Sequence, residues 1–75
     1  MFQLTIDCPS LFITYTSDLV STVGQQPLHA TWYEIHDEQR WDVRFEFETL
    51  EEAEEARDKL AEKFCVWRYI SIDEF

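Results

Sequence analysis

Seventy-five residues make one domain with no room for a second, and a chain this short buries only ~60 to 65 % of its unfolded surface. Sixteen acidic against six basic residues set a net charge of -10, which excludes direct binding to nucleic-acid phosphates or anionic lipid and favours basic partners. No apolar run approaches the ~20 residues of a membrane-spanning helix, and the N-terminus lacks the basic residues and apolar core of a signal peptide, so a cytoplasmic protein is expected.

Phe2, Leu4, Ile6 and Cys8 alternate with Gln3, Thr5 and Asp7, the period of two that marks a first strand. Two readings compete for the next stretch, Pro9 to Gly24. Leu11, Tyr15, Leu19 and Val23 recur every four residues, with Pro9 and Ser10 at the entrance and Gly24 as a stop, which favours one long helix. Against it, Phe12, Ile13, Thr14, Tyr15 and Thr16 are strand formers, and a short helix starting at Ser17 or Asp18 would follow. Periodicity outranks propensity here, so the long helix is the expectation and a β-meander start with a short first helix the alternative.

Gln25, Gln26 and Pro27 connect to a strand over Leu28–Asp37, whose Tyr33 and Ile35 lie on one side while Trp32, Glu34 and His36 lie on the other. The polar run Asp37, Glu38, Gln39, Arg40 turns the chain into the clearest strand of the sequence. There Trp41, Val43, Phe45 and Phe47 alternate with Asp42, Arg44, Glu46 and Glu48, placing four large apolar side chains on one face and charges on the other. Thr49 with Glu52 three residues on is a helix-capping pair. Leu50, Ala53, Ala56 or Arg57, Leu60 and Phe64 then give a narrow apolar helical stripe. Cys65 to Ile72, rich in β-branched and aromatic residues, reads as the last strand. With twelve Phe, Trp and Tyr residues, a compact core forms without a metal or a disulfide framework.

The order strand, helix, strand, strand, helix, strand resembles the split βαβ pattern of ferredoxin-like domains. That resemblance implies a two-layer α+β sandwich spanning 1–75 as one acidic domain. Its antiparallel four-stranded sheet carries both helices on one face and leaves the other open. In that arrangement Cys8 and Cys65 become neighbours, as buried thiols rather than a disulfide in a cytosolic protein.

Catalysis has little support. The chain has no Gly-rich phosphate loop, HExxH, nucleophile elbow or paired CxxC. His29 and His36, seven apart, fall on opposite faces of a regular strand and cannot act together, and they are read as partly exposed with no special role. The adjacent pairs Glu51/Glu52 and Glu54/Glu55 do not converge on a substrate. A zinc site lacks two ligands. The expectation is therefore a protein with no enzymatic activity, no cofactor and no metal. Base stacking on the open face, as in RNA-binding domains of this architecture, is disfavoured by Asp42, Glu46 and Glu48 around Arg44.

What remains is the acidic surface. Between Glu34 and Glu55 stand ten acids against two bases, which is eight of the ten net negative charges. One reading is a solvated face that keeps an aromatic-rich protein soluble. The sharper reading is a nucleic-acid mimic: Glu34, Asp37, Glu38, Asp42, Glu46, Glu48, Glu51, Glu52 and Glu55 form a line of charge that enters the basic groove of a nucleic-acid-binding protein. Trp32 and Trp67, with Trp41 and Arg44, are its anchors. In size and charge the chain is similar to small phage inhibitors of the anti-CRISPR and anti-restriction type. Two alternatives stand beside it: an interaction module that forms a homodimer or docks through aromatics on the open sheet face, and a small-ligand sensor domain.

Overall fold

The computed structural model of the chain describes residues 1–13 and 15–75. Among them, four strands and two helices run in the order β1 (Phe2–Pro9), α1 (Thr16–Val23), β2 (His29–Ile35), β3 (Glu38–Phe47), α2 (Leu50–Phe64) and β4 (Ile70–Glu74). The architecture is α+β, one antiparallel sheet with two helices. Its strand order is β2-β3-β1-β4. β1 and β3 pair in the register Phe2 with Phe47, Leu4 with Phe45, Ile6 with Val43 and Cys8 with Trp41. The period-two pattern of each strand thus lines up apolar residues with apolar residues on one face. Gln3, Thr5 and Asp7 meet Glu46, Arg44 and Asp42 on the other.

The apolar face is covered by helices. Leu19 of α1 and Ala53, Ala56 and Leu60 of α2 join Leu4, Ile6, Cys8, Ile13, Val43, Phe45, Phe47 and Val66 in a single buried cluster. Small residues at positions 53 and 56 let α2 lie close to the aromatic strand. Burying Phe45 completely supplies on the order of 2 to 3 kcal/mol at the usual value per unit of apolar area. Thr49 caps α2 as its spacing requires: its hydroxyl accepts the Glu52 backbone N–H at 3.2 Å. The Glu52 carboxylate accepts from that same hydroxyl at 3.2 Å rather than reaching the Thr49 backbone.

Three expectations are corrected. The long helix over 9–24 does not form. β1 runs to Pro9, a 3₁₀ turn follows at Ser10–Phe12, and α1 begins only at Thr16. Ile13 and Tyr15 are extended (φ -133 and -134), and Ile13 is buried while the Trp41 indole donates to its carbonyl at 3.0 Å. A tertiary hydrogen bond and a run of strand formers outweigh the four-residue periodicity. Leu11 and Tyr15 are left 87 % and 65 % exposed. Thr14 of that run lies outside the described residues.

The hairpin turn is shorter and earlier than expected. It consists of His36 and Asp37 alone, both with positive φ (51 and 62), and Ile35 pairs with Glu38 directly across it. Two left-handed residues match a two-residue turn whose twist suits the flanking strands. So His36 belongs to the turn, not to a strand face.

The last strand also shifts. Cys65 is left-handed (φ 57) and ends α2, a second 3₁₀ turn occupies Trp67–Tyr69, and β4 starts at Ile70, where pairing with Ile6 begins. Cys65 is consequently exposed at a helix end while Cys8 is buried opposite Trp41, and both are free thiols. They are not neighbours across paired strands. Burial holds the Cys8 thiol at a pKa of about 11.

Candidate functional site

Charge on this sheet sorts into two ends. β1 starts where β3 and β4 finish, and a two-residue connector separates the end of β3 from the start of α2. At that end, Glu46, Gln3 and Asp73 form one row across β3, β1 and β4 on the face away from the helices. With strands ~4.8 Å apart, Glu46 and Asp73 stand about 10 Å from each other. Glu74 follows beside Phe2 in the next row. Glu48 fills the connector, and Glu51 and Glu52 occupy the first turn of α2, where the positive end of the helix dipole favours carboxylates. Among the described residues none of these six carboxylates is ion-paired with an Arg or Lys. Together they make an acidic pole.

The predicted line of charge is broken in its middle. Asp42 is clamped by Arg44 at 3.0 Å and lies 3.8 Å from His29 Nε2. Glu38 is held by Arg40 at 3.0 Å. Glu34 sits on β2 on the side of the sheet that faces the helices, and Asp37 in the turn. Glu34, Asp37 and Glu38 mark the hairpin tip, about 30 Å from Glu48 along an extended β3, with Asp42 about 20 Å from it, in a molecule 36 Å in its longest dimension. The two groups of carboxylates therefore lie towards opposite ends of the sheet. Glu55, one turn into α2, is paired with Lys59 at 3.3 Å and borders the pole.

Nor do the expected anchors stand at the pole. Trp32 pairs with Trp41 across β2 and β3 on the helix side of the sheet and is half exposed. Trp67, 57 % exposed in the 3₁₀ turn, lies under the Arg57 guanidinium at 4.9 Å. Trp41 is engaged with Ile13, and Arg44 with Asp42. Asp73 and Glu74 were not anticipated from the sequence. Extending the last strand's alternation beyond Ile72 is the signal that finds them.

The open face near the hairpin carries a different cluster. Tyr33 donates to Asp7 Oδ1 at 2.6 Å, Arg40 donates to the same oxygen at 3.1 Å and to the Asp7 carbonyl at 3.0 Å. Arg40 also packs over the Tyr69 ring, 5.8 Å from its centroid. The Tyr33 hydrogen bond, with help from Arg40, holds the Asp7 carboxyl below its ordinary range, and the same bond raises the Tyr33 phenol. This cluster ties β1, β2 and β3 together. Each guanidinium nitrogen of Arg40 makes one hydrogen bond within the protein, to Asp7 or Glu38, so the cluster is chiefly a tie between strands.

Cavities are shallow. A groove of about 170 Å³ between the end of α1 and α2 has Val23, Phe47 and Ala56 as floor and Glu52, Glu55 and Lys59 at its rim, and a wider, more open one of about 320 Å³ lies along α1 beside Thr16, Ser17, Val20, Ser21 and Gln26, at the lower bound of the ~300 to 1,000 Å³ of ordinary ligand sites. Among the described residues no group of three or more His, Cys, Asp or Glu is placed to hold a metal ion, and no helix is long and apolar enough to cross a membrane. Compared with known proteins, the chain matches no family model, no curated protein and no solved structure.

Proposed function

We propose that the protein works by binding, presenting its acidic pole to a basic groove on a nucleic-acid-handling protein and occupying the place of the phosphates. Such a protein is a nucleic-acid mimic of the anti-restriction or anti-CRISPR type, acting in the cytoplasm without chemistry of its own. The observation that carries the reading is the convergence of Glu46, Glu48, Glu51, Glu52, Asp73 and Glu74 on one end of the molecule with no Arg or Lys partner among the described residues. Uncompensated carboxylates steer a cationic partner, and carrying them on strands and a helix spares the cost of ordering the backbone on docking. Strand order β2-β3-β1-β4 with both helices in one core supports a ferredoxin-like scaffold behind them.

The test is capture followed by competition. Immobilised protein retains a basic nucleic-acid-binding protein from cells at low salt, and the captured partner no longer retards its own nucleic acid when the acidic protein is added. A captured partner that binds nucleic acid undisturbed overturns the proposal.

A further inference from the structure

We infer that the free edge of β2 is a self-association surface, taking a second copy of this chain in an antiparallel strand pair about a two-fold axis. β2 lies at one end of the sheet order, and every residue but Tyr33 is exposed along its length. Sheet edges normally carry Lys, Pro, a bulge or a covering element that prevents pairing. Within His29–Ile35 there is no Pro, Lys or Arg, and Glu34 is the only acidic residue. Ala30, Trp32 and Glu34 remain exposed on the helix side. The opposite edge, β4, ends on Asp73 and Glu74 and is guarded by charge.

Register decides what the edge fits. Residues flanking a two-residue turn exchange both main-chain bonds, so Ile35, Tyr33, Thr31 and His29 direct theirs at β3. Ala30, Trp32 and Glu34 then present theirs outwards. Trp32 is the central residue of the strand, and a two-fold through it sets Trp32 against Trp32 and Ala30 against Glu34 of the second copy. All outward groups pair, giving about six main-chain hydrogen bonds, and no like charges face each other across the axis. Trp41 already stands opposite Trp32 within each copy, so the dimer carries a ladder of four indoles across its helix side. An arbitrary extended peptide satisfies the main chain equally but not this indole ladder.

Area sets the strength. A seven-residue edge is about 23 Å long and about 10 Å deep, which covers roughly 230 Å² per copy, about 460 Å² in all, and falls at the bottom of the weak, transient class. Association is therefore concentration-dependent. Two chains of charge -10 repel, and salt screens that repulsion, so self-association strengthens as salt rises. The acidic pole predicts the opposite trend for its partner, and the two proposals stand or fall separately.

Sedimentation velocity of the full chain from micromolar to millimolar concentration, at about 0.05 M and about 0.5 M salt, is the experiment. The expected result is a mass that climbs from 9.1 kDa towards twice that value, further at high salt. Ala30→Pro removes an outward N–H and Trp32→Lys places a charge on the axis; each stays monomeric while melting cooperatively. Amide exchange of the concentrated wild type protects Ala30, Trp32 and Glu34 selectively. A wild type that remains monomeric at millimolar concentration overturns the inference, as does a dimer indifferent to both substitutions or one without protection at those three amides.

Discussion

Replacing Trp41 by Phe isolates the contact that sets where α1 begins. The indole N–H donates to the carbonyl of buried Ile13 at 3.0 Å. A phenyl ring cannot donate, and the carbonyl is left without its partner, a cost of ~1 to 3 kcal/mol. Losing the second ring forfeits about 40 Å² of apolar contact, or ~1 kcal/mol. The total, ~2 to 4 kcal/mol, is a large share of the ~4 to 11 kcal/mol expected of a domain this size. Urea denaturation reads it as a lower midpoint at unchanged slope. Amide exchange should accelerate first in the connector around Ile13 and in α1. A loss below ~1 kcal/mol would refute the reasoning, because the connector would then owe its extended form to local propensity alone.

Two further outcomes follow from the thiols and the open-face cluster. Cys65, exposed at the end of α2, reacts at once with a thiol reagent in native protein, whereas Cys8, buried and raised to about 11, reacts only on unfolding; equal rates would contradict that burial. Asp7 has a lowered pKa in the folded state, so its stabilisation is complete above the unfolded value of ~3.9 and disappears as pH falls through the folded one. NMR titration should show the Asp7 midpoint moving up in Tyr33→Phe, since that hydrogen bond is its largest cause. The raised Tyr33 phenol works in the opposite sense, its contribution present below the ordinary tyrosine range and lost as pH rises through the shifted value. An unmoved Asp7 midpoint would assign the shift to Arg40 instead.

Local pattern reveals most of this fold. β1, the Trp41–Phe47 part of β3 and α2 are plain from strict alternation and from the Thr49–Glu52 cap because each is amphipathic there and packs where its pattern points. Residues 10–13 and Tyr15 are not plain, since the Trp41 indole that holds the Ile13 carbonyl is 28 positions away. The end of α2 and the start of β4 were displaced for a similar reason: Cys65 turns left-handed and pairing waits for Ile6. Of the candidate surface, Glu46, Glu48, Glu51 and Glu52 lie close in sequence and were legible as a run. Asp73 and Glu74 join them only through the β1–β4 ladder. The pairing of Asp42 and Glu38 with Arg44 and Arg40, two residues away on the same strand face, follows from period-two spacing, and removes them from the free charge.

The most direct measurement compares two double charge reversals in the complex with the captured partner. Glu48→Lys with Glu51→Lys alters the pole; Glu34→Lys with Asp37→Lys alters the hairpin tip by the same net charge. The account predicts that the pole variant loses ~2 kcal/mol of binding, about 30-fold, and shows a shallower dependence of affinity on salt, while the tip variant stays within a few-fold of wild type. Equal losses in both variants, or an affinity that salt leaves unchanged, would contradict it.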